Sequence, residues 1–267
     1  MSARAVGMAL LGAVIVAWGL ALVAPYDVVA DVDPTRASLA PSLAHWLGTD
    51  HLGRDVAWRL LLGSRAFVAP ALLTAAVAGI VGGAAGALAG WFGGPIAALV
   101  RYGFTVGASV PRFVFVLLAG AIFGAAPTVL AVATGLACAP AVGEGVRSRL
   151  DELRRAEFVL ALRAHGVPEA RILLHHLLWV NARGLVLRHL FQAFGFFLVV
   201  ETTLSYLGGF GVQEPTPSWG NMLAFEFGIP DGNAFAWMAP ALAIWAAVLG
   251  TALLGQDLGR AEGADGG

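Results

Sequence analysis

Long uncharged stretches alternate with short charged ones along the whole chain. Four stretches carry no charged residue, namely residues 5–26, 66–100, 113–143 and 232–256. A helix needs about 20 apolar residues to cross the hydrocarbon core of a bilayer, and each of these stretches is long enough. The pattern therefore predicts an all-α, polytopic membrane protein with about six transmembrane helices. The predicted spans are residues 7–24, 66–90, 108–124 (broken at Pro111), 128–143, 185–206 and 235–255.

The two ends of the chain raise separate questions. Arg4 precedes the first apolar stretch, as in a secretory signal peptide, but the apolar core of such a peptide has only about 7–15 residues. The stretch here is longer and further spans follow it, which favours an uncleaved helix. The tail from residue 259 is rich in small and polar residues and is predicted to be disordered. The expected division is residues 1–64 (first helix and outer loop), 65–258 (transmembrane domain) and 259–267 (tail).

A charged segment separates the fourth and fifth spans. Residues 144–171 contain six arginines and five acidic residues, too many charges for the lipid interior. We predict a helix over Leu150–His165, a left-handed residue at Gly166 and a second helix from Pro168 to Leu178. This helix–glycine–helix segment is called the elbow below. Alternatively, the same segment is an amphipathic connector that lies on the membrane surface.

Arginine distribution predicts the orientation of the chain. The elbow carries six arginines, whereas the loop at residues 208–231 carries none. Cytoplasmic loops are enriched in basic residues, so we expect the elbow and both termini to be cytoplasmic. The loops at 27–65 and 208–231 are then outside, although the first of them holds four arginines. Residues 55–64 in that loop are predicted to form a short interfacial helix.

Composition excludes several classes of function. Only 12% of the residues are charged, against about 25% in soluble domains, and the net charge of −1 offers no basic patch for nucleic acid. All 16 basic residues are arginines. A Walker A loop needs a lysine beside the phosphates, so ATP would have to be bound by another subunit, and we expect no cofactor on this chain. The single cysteine, Cys138, offers neither a disulfide nor a metal cluster.

Several short segments match the motifs of one transporter family. They are residues 47–55 (LGTDHLGRD), 160–166 (LALRAHG, in the elbow), 201–208 (ETTLSYLG) and 215–223 (PTPSWGNML). With them, residues 45–258 resemble the inner-membrane permeases of binding-protein-dependent ABC importers, in the dipeptide, oligopeptide and nickel group. The elbow departs from the family's E-A-A---G motif, because Leu160 replaces the glutamate and Leu162 the second alanine, and Trp179 replaces a proline farther on.

The resemblance implies a mechanical role for the elbow. In this family the elbow is a coupling helix held in a groove of a cytoplasmic ATPase. The motif positions implied in coupling are Leu160, Ala161 and Gly166. Arg154, Arg155 and Arg163 either make charge-assisted contacts with the partner or lie on a solvated helix face. The expected partners are a second permease, two ATPase subunits that use ATP, and an extracytoplasmic solute-binding protein, in the inner membrane of a bacterium. The resemblance leaves open which solute is carried and whether the two permeases are identical.

Two further residues are candidates for the translocation path or an outer gate. Glu201 falls within the fifth span, where a carboxylate costs a few kcal/mol unless it is paired or hydrated. It either faces the path, bonds to another helix or lies near the outer interface. Trp219 follows a proline-rich segment and belongs either to an outer gate or to a structural loop. Ser218 is predicted to cap a helix that begins at Trp219. Arg112 lines the path or lies at the cytoplasmic interface.

Other functions have weaker support from the sequence. The six histidines form no H-E-x-x-H pair, and no G-x-S-x-G occurs, so we do not expect an enzyme. A secondary transporter usually shows internal repeats, and no clear repeat is present. A non-transporting membrane scaffold is the remaining alternative.

Overall fold

The computed structural model describes residues 2–27, 31–229 and 232–264, with side chains to residue 258. Within these ranges the chain forms helices and no β-strand, apart from one isolated bridge between Thr49 and Asp55. The helices are α1 (Ala3–Val23), α2 (Val56–Gly63), α3 (Val68–Val77), α4 (Gly83–Phe92), α5 (Gly94–Ser109), α6 (Arg112–Phe123), α7 (Pro127–Leu153), α8 (Glu157–Ala164), α9 (Glu169–Arg171), α10 (Arg183–Leu207), α11 (Trp219–Glu226) and α12 (Ala234–Ala264). Short 3₁₀ helices occur at Pro34–Arg36 and Ser64–Ala66, and π-helices at Ala78–Gly82 and Ile172–Asn181.

Six helical segments are candidates for crossing the membrane. Five are long and apolar enough by themselves: Ala3–Val23, Val56–Phe92, Pro127–Leu153, Arg183–Leu207 and Ala234–Leu258. The pair α5 and α6 meets the same test jointly but is bent by 82°. The bend lies at Val110 and Pro111, because proline disfavours a helical conformation in the residue before it. The predicted all-α polytopic class is confirmed, with the predicted break at Pro111.

In the membrane region the predicted start of the third span at residue 108 is wrong, whereas the short helix predicted at 55–64 is confirmed. The predicted short helix at 55–64 is present as α2 (Val56–Gly63), and a 3₁₀ turn at Ser64–Ala66 separates it from α3 within the apolar segment Val56–Phe92. Its interfacial position stays a prediction. Residues 91–95 were expected to form only a turn. Gly93 and Gly94 do take positive φ values of 67° and 53°, but Pro95 then lies in the first turn of α5, where its missing N–H costs nothing. Residues 94–107 are therefore helical as well.

The elbow and the C-terminal helix also differ from the expected pattern. No single helix covers Leu150–His165, because α7 ends at Leu153 and α8 begins only at Glu157. At the C-terminal end, α12 continues to Ala264, into the tail for which disorder is expected, while residues 265–267 lie outside the described residues.

The chain divides into two compact units. The first contains the chain up to Leu72, Ala119–Ala131 and Gly195–Leu253, and it is called the outer unit after the two loops predicted to lie outside. The second, called the elbow unit, contains Leu73–Leu118, Val132–Phe194 and the chain from Leu254. Phe67, Phe197 and Leu204 are fully buried in the outer unit, and Leu150 and Leu177 in the elbow unit.

Small residues hold the helices of the elbow unit together. A Cβ added at Gly82 would collide with the carbonyl oxygen of Ala139, and one at Gly86 with that of Gly143. The glycines after α3 therefore lie directly against the backbone of α7. Membrane helices associate closely where small residues remove the side chain from the interface, and the predicted burial of this glycine-rich span is confirmed.

Candidate functional site

The bend of the elbow is fixed by Gly166. This residue has φ = +73° and follows α8, and its N–H donates to the carbonyl oxygen of Arg163 at 2.9 Å. The next N–H, of Val167, donates to Leu162 O at 3.0 Å. These bonds close the end of α8 with a left-handed residue, as predicted. A Cβ at Gly166 would meet no atom within 4 Å, so glycine is required by the backbone conformation alone.

The three candidate arginines of the elbow have different surroundings. Arg154 donates to the carbonyl oxygen of Trp91 at 3.3 Å and forms a salt bridge with Asp151 at 2.8 Å. Arg163 forms a salt bridge with Glu169 at 2.8 Å, across Gly166, and its guanidinium lies 5.5 Å from the ring centre of Trp91. Both therefore stabilise the elbow itself. Arg155 is 70% exposed while it pairs with Asp151, so it is the most accessible of the three.

Helix α8 exposes apolar side chains next to charged ones. Val159 is buried, whereas Phe158 is 39% and Leu160 58% exposed. Ala161 is exposed as well. Leu160 occupies the position at which the family motif has glutamate. A short charged helix with two exposed large apolar side chains has the composition of a partner-binding surface.

The segment at residues 47–55, called the outer motif below, forms a compact loop. Gly48 and Gly53 have φ values of +74° and +79°. A Cβ at Gly48 would collide with the carbonyl oxygen of Leu39, and one at Gly53 with that of Asp33. Both glycines are therefore required by backbone conformation and by close approach. Asp55 ends the motif as the N-cap of α2, where its carboxylate accepts from the Trp58 N–H at 3.0 Å.

Four charged side chains form an ion cluster in the outer unit. Arg54 donates to Asp50 and to Glu214, both at 2.7 Å. Arg59 also donates to both carboxylates, to Glu214 at 2.5 Å. The side chains of Asp50, Arg54 and Arg59 are at most 2% exposed, and that of Glu214 is 24% exposed. The cluster joins the outer motif and α2 to the loop that precedes α11.

The charges of the cluster keep Asp50 ionised. Burial by itself would raise the pKa of the Asp50 carboxyl. The positive charges of Arg59 and Arg54, together with hydrogen bonds from Arg54, outweigh burial and hold this pKa below its ordinary value. One Asp50 oxygen also accepts from the backbone N–H groups of Leu52 and Arg54, both at 2.9 Å. All the polar capacity of Asp50 is thus used within the outer unit.

A histidine–carboxylate pair provides a second link between the outer motif and α11. His51 Nδ1 lies 2.6 Å from Glu226 Oε1, and the Glu226 side chain is 3% exposed. Asp50, His51 and Glu226 each offer a ligand atom within 4.8 Å of the others, which resembles a metal site. Asp50, however, already accepts from two guanidinium groups, whose charges oppose a cation there. The geometry favours a hydrogen-bonded pair over a metal centre.

The His51–Glu226 pair predicts a dependence of stability on pH. The hydrogen bond with Glu226 raises the pKa of His51 above its ordinary value, against the effect of burial. A pKa raised by folding contributes stability that is complete below the unfolded value of about 6.5 and is lost as the pH rises through the folded value. We expect the melting temperature of purified wild-type protein to exceed that of His51→Gln at low pH and to approach it at high pH.

This pH dependence has a matched control. His175→Gln changes an exposed histidine in the elbow unit that has no carboxylate partner among the described residues, and it should leave the pH profile of the melting temperature unchanged. If the melting temperatures of wild type and His51→Gln changed in parallel with pH, the pair of His51 with Glu226 would not be the source of the pH dependence.

Trp219 is buried in the outer unit. Its Nε1–H donates to the carbonyl oxygen of Leu60 at 2.9 Å, and its ring lies 4.5 Å from that of Phe67. Ser218 caps α11: its hydroxyl accepts from the Asn221 N–H at 3.1 Å, while the Asn221 side chain accepts from the Ser218 N–H at 2.9 Å. The predicted cap is confirmed. In this structure Trp219 anchors α11 to α2, and its expected role in a gate stays a prediction.

Glu201 is also buried, at 1% exposure. It accepts a hydrogen bond from the Ser205 hydroxyl at 2.6 Å, one turn farther along α10. The same hydroxyl accepts from the Val212 N–H at 2.9 Å, so the carboxylate helps to hold the start of the loop after α10. Glu201 thus lies inside the outer unit, and a role in translocation stays a prediction. Glu201 and Trp219 belong to the outer unit, whereas all the predicted coupling residues belong to the elbow unit.

The ion cluster was not anticipated from the sequence. Its members Arg54 and Glu214 are 160 residues apart in the chain, and no helical or strand periodicity connects them. Two features of the charge distribution in the sequence point to such a cluster. The loop at 27–65 holds four arginines where an outer loop should have few, and the loop at 208–231 contains acids but no arginine. Arg54, Arg59 and Glu214 account for part of both anomalies, because they pair with one another.

The chain is similar in sequence to known transport proteins. Residues 82–258 match the family model of the binding-protein-dependent transport system inner membrane component. The chain is 30% identical to the dipeptide transport system permease protein of Alkalihalophilus pseudofirmus, over 86% of this chain and 75% of the relative. It is 30% identical to a glutathione transport system permease protein of Pectobacterium atrosepticum, over 96% and 84%. It is 32% identical to the oligopeptide transport system permease protein of Haemophilus influenzae, over 81% and 68%.

These matches agree with the helical architecture and with the resemblance found in the motifs. The family model covers α7, the elbow and α10, together with the loop before α11. Its members are transport permeases rather than enzymes, and they work with a binding protein. The chain belongs to the family of inner-membrane components of binding-protein-dependent transport systems, as a multi-pass permease subunit of an ABC importer.

Proposed function

We propose that this permease carries peptides or similar small solutes and is driven by ATP hydrolysed on separate subunits. The relatives above are named for dipeptides, glutathione and oligopeptides, which share a peptide backbone. The chain contributes the path and carries out no catalysis of its own. It holds no cofactor, because the ATP is bound by its partners.

The observation that carries the proposal is the exposed apolar face of α8. Phe158 and Leu160 lie on a charged elbow between two apolar helices, α7 and α10. A groove on a cytoplasmic ATPase would cover these side chains. Closure of the ATPase around ATP then pushes on α8, and the fixed bend at Gly166 passes the movement to α10. The salt bridge between Arg163 and Glu169 stiffens that bend.

The proposal extends to the rest of the assembly. A second, similar permease completes the path, and two ATPase subunits each receive one elbow. Both termini lie on the cytoplasmic side. An extracytoplasmic binding protein delivers the solute to the loops at 27–65 and 208–231. A secondary transporter or a scaffold would have no use for an exposed apolar helix outside the membrane, and this disfavours both alternatives.

Replacing Leu160 by aspartate tests the docking of α8. The change removes an exposed apolar contact and places a charge in the partner's groove, so we expect at least a tenfold loss of co-purified ATPase, equivalent to about 1.4 kcal/mol of binding. The measurement is the amount of ATPase retained on the tagged permease. Leu43→Asp is the matched control, because Leu43 is 98% exposed in the loop assigned to the other side of the membrane. Equal retention in both variants would refute docking through α8.

A further inference from the structure

An apolar groove lies in the elbow unit beside the helix that follows the elbow. It has a volume of about 860 Å³. One wall is formed by Gly79, Gly83 and Ala87, and the other by Leu174, Trp179 and Arg183. All these residues belong to the elbow unit. The small residues of the first wall leave the space open, and Leu174 and Trp179 are 62% and 64% exposed beside it.

The chain segment that forms the second wall of this groove carries only positive charges. From residue 170 to residue 200 there is no acidic residue, but there are three arginines, Arg171, Arg183 and Arg188. Arg183 is exposed and forms no salt bridge with any described residue. The arginines of the elbow differ, because Arg154, Arg155 and Arg163 all pair with acids. The groove therefore combines an apolar interior with a cation at its rim that forms no salt bridge within the described part of the chain.

We infer that the groove binds an anionic phospholipid. The acyl chain lies along the glycine and alanine wall, and the phosphate is held by Arg183. Arginine suits this role because its planar guanidinium can donate two hydrogen bonds to one phosphate. Trp179 fits the headgroup level, where tryptophan is enriched in membrane proteins. Arg183 begins α10, one of the candidate membrane spans, so the cation stands where the chain enters the bilayer.

The location gives this lipid access to the coupling segment. The second wall of the groove includes the π-helix Ile172–Asn181, which directly follows the elbow. Anionic lipids are concentrated in the cytoplasmic leaflet, and basic pockets between helices on that side retain their headgroups. The inference extends beyond solute transport and does not depend on which solute is carried.

The test measures phosphatidylglycerol bound to the full chain, purified in its native assembly, by native mass spectrometry. Arg183→Gln is expected to retain about fivefold less of this lipid, the effect of one basic residue at an anionic surface. Gly83→Phe should abolish retention, because a Cβ at Gly83 meets no atom within 4 Å and the ring would fill the groove. Arg101→Gln, which changes an exposed arginine of the same unit outside the groove, is the matched control and should retain the wild-type amount.

A second measurement locates the lipid. Phosphatidylglycerol brominated on its acyl chains should quench the part of the fluorescence that is lost in Trp179→Phe, and brominated phosphatidylcholine should not. Equal retention by Arg183→Gln and Arg101→Gln would overturn the inference. Equal quenching by both lipids would overturn its anionic specificity. If Trp179 escapes quenching in the assembled importer, the second permease fills the groove and the inference is wrong.

Discussion

Replacing Asp50 by alanine is expected to lower the free energy of unfolding of the outer unit by about 3–5 kcal/mol, the cost of breaking a buried ion pair from one side. The variant leaves Arg54 and Arg59 buried with Glu214 as their remaining acidic partner. It also removes the acceptor of two backbone N–H groups. The loss can be measured by thermal unfolding of the purified protein in detergent, followed by tryptophan fluorescence.

A second substitution separates the lost charge pair from simple loss of packing. Arg59→Met in the Asp50→Ala background removes one of the unbalanced cations, so it should recover part of the stability, and the two changes should be strongly non-additive. Glu152→Ala is the control, because the Glu152 side chain is 68% exposed in its pair with Arg149; such pairs contribute about 0–1 kcal/mol. A loss below about 1 kcal/mol for Asp50→Ala would mean that the cluster does not stabilise the outer unit.

Gly166→Val is expected to reduce solute uptake at least tenfold while the chain still inserts into the membrane. A left-handed conformation costs an ordinary residue about 1–2 kcal/mol, and a β-branched side chain tolerates it least. Because no atom lies within 4 Å of a Cβ at this position, the effect would come from the bend and not from a collision. The measurement compares ATP hydrolysis and uptake in the same reconstituted vesicles. We expect hydrolysis to continue without matching uptake.

Two variants control for the change of residue type. Gly166→Asn keeps a side chain that tolerates the left-handed region, so it should retain most of the uptake. Gly124→Val imposes the same kind of strain at φ = +89°, also in open space, but at the turn between α6 and α7. It should leave hydrolysis and uptake coupled. Wild-type coupling in Gly166→Val would show that the bend is not needed as a lever.

The parts of the fold that the sequence predicted are those set by local chemistry. Apolar length predicted the spans, and a glycine before proline predicted the left-handed end of α8 at Gly166. Ser218 was identified as a cap because serine at that place satisfies a free N–H of the first helical turn. Each of these features depends on residues close together in the chain.

The missed features depend on residues that are distant in sequence. The charge of Arg154 suggested a partner contact, which stays a prediction, but it gave no sign of the hydrogen bond to the backbone at Trp91. The contact of Trp219 with Leu60 joins residues that are farther apart still, 159 positions along the chain. Helix α5 was missed for a different reason, because two glycines before a proline indicate a turn as strongly as they indicate the start of a helix.

The central claim is that the elbow transmits work from a separate ATPase, and uptake by reconstituted vesicles tests it most directly. Vesicles should contain the permease with its partner permease, with or without the ATPase subunits, with ATP on the elbow side and the loaded binding protein on the other. The account predicts uptake only when both ATPase and ATP are present, and its loss in Leu160→Asp. Solute uptake by the permeases alone, in the absence of the ATPase, would contradict it.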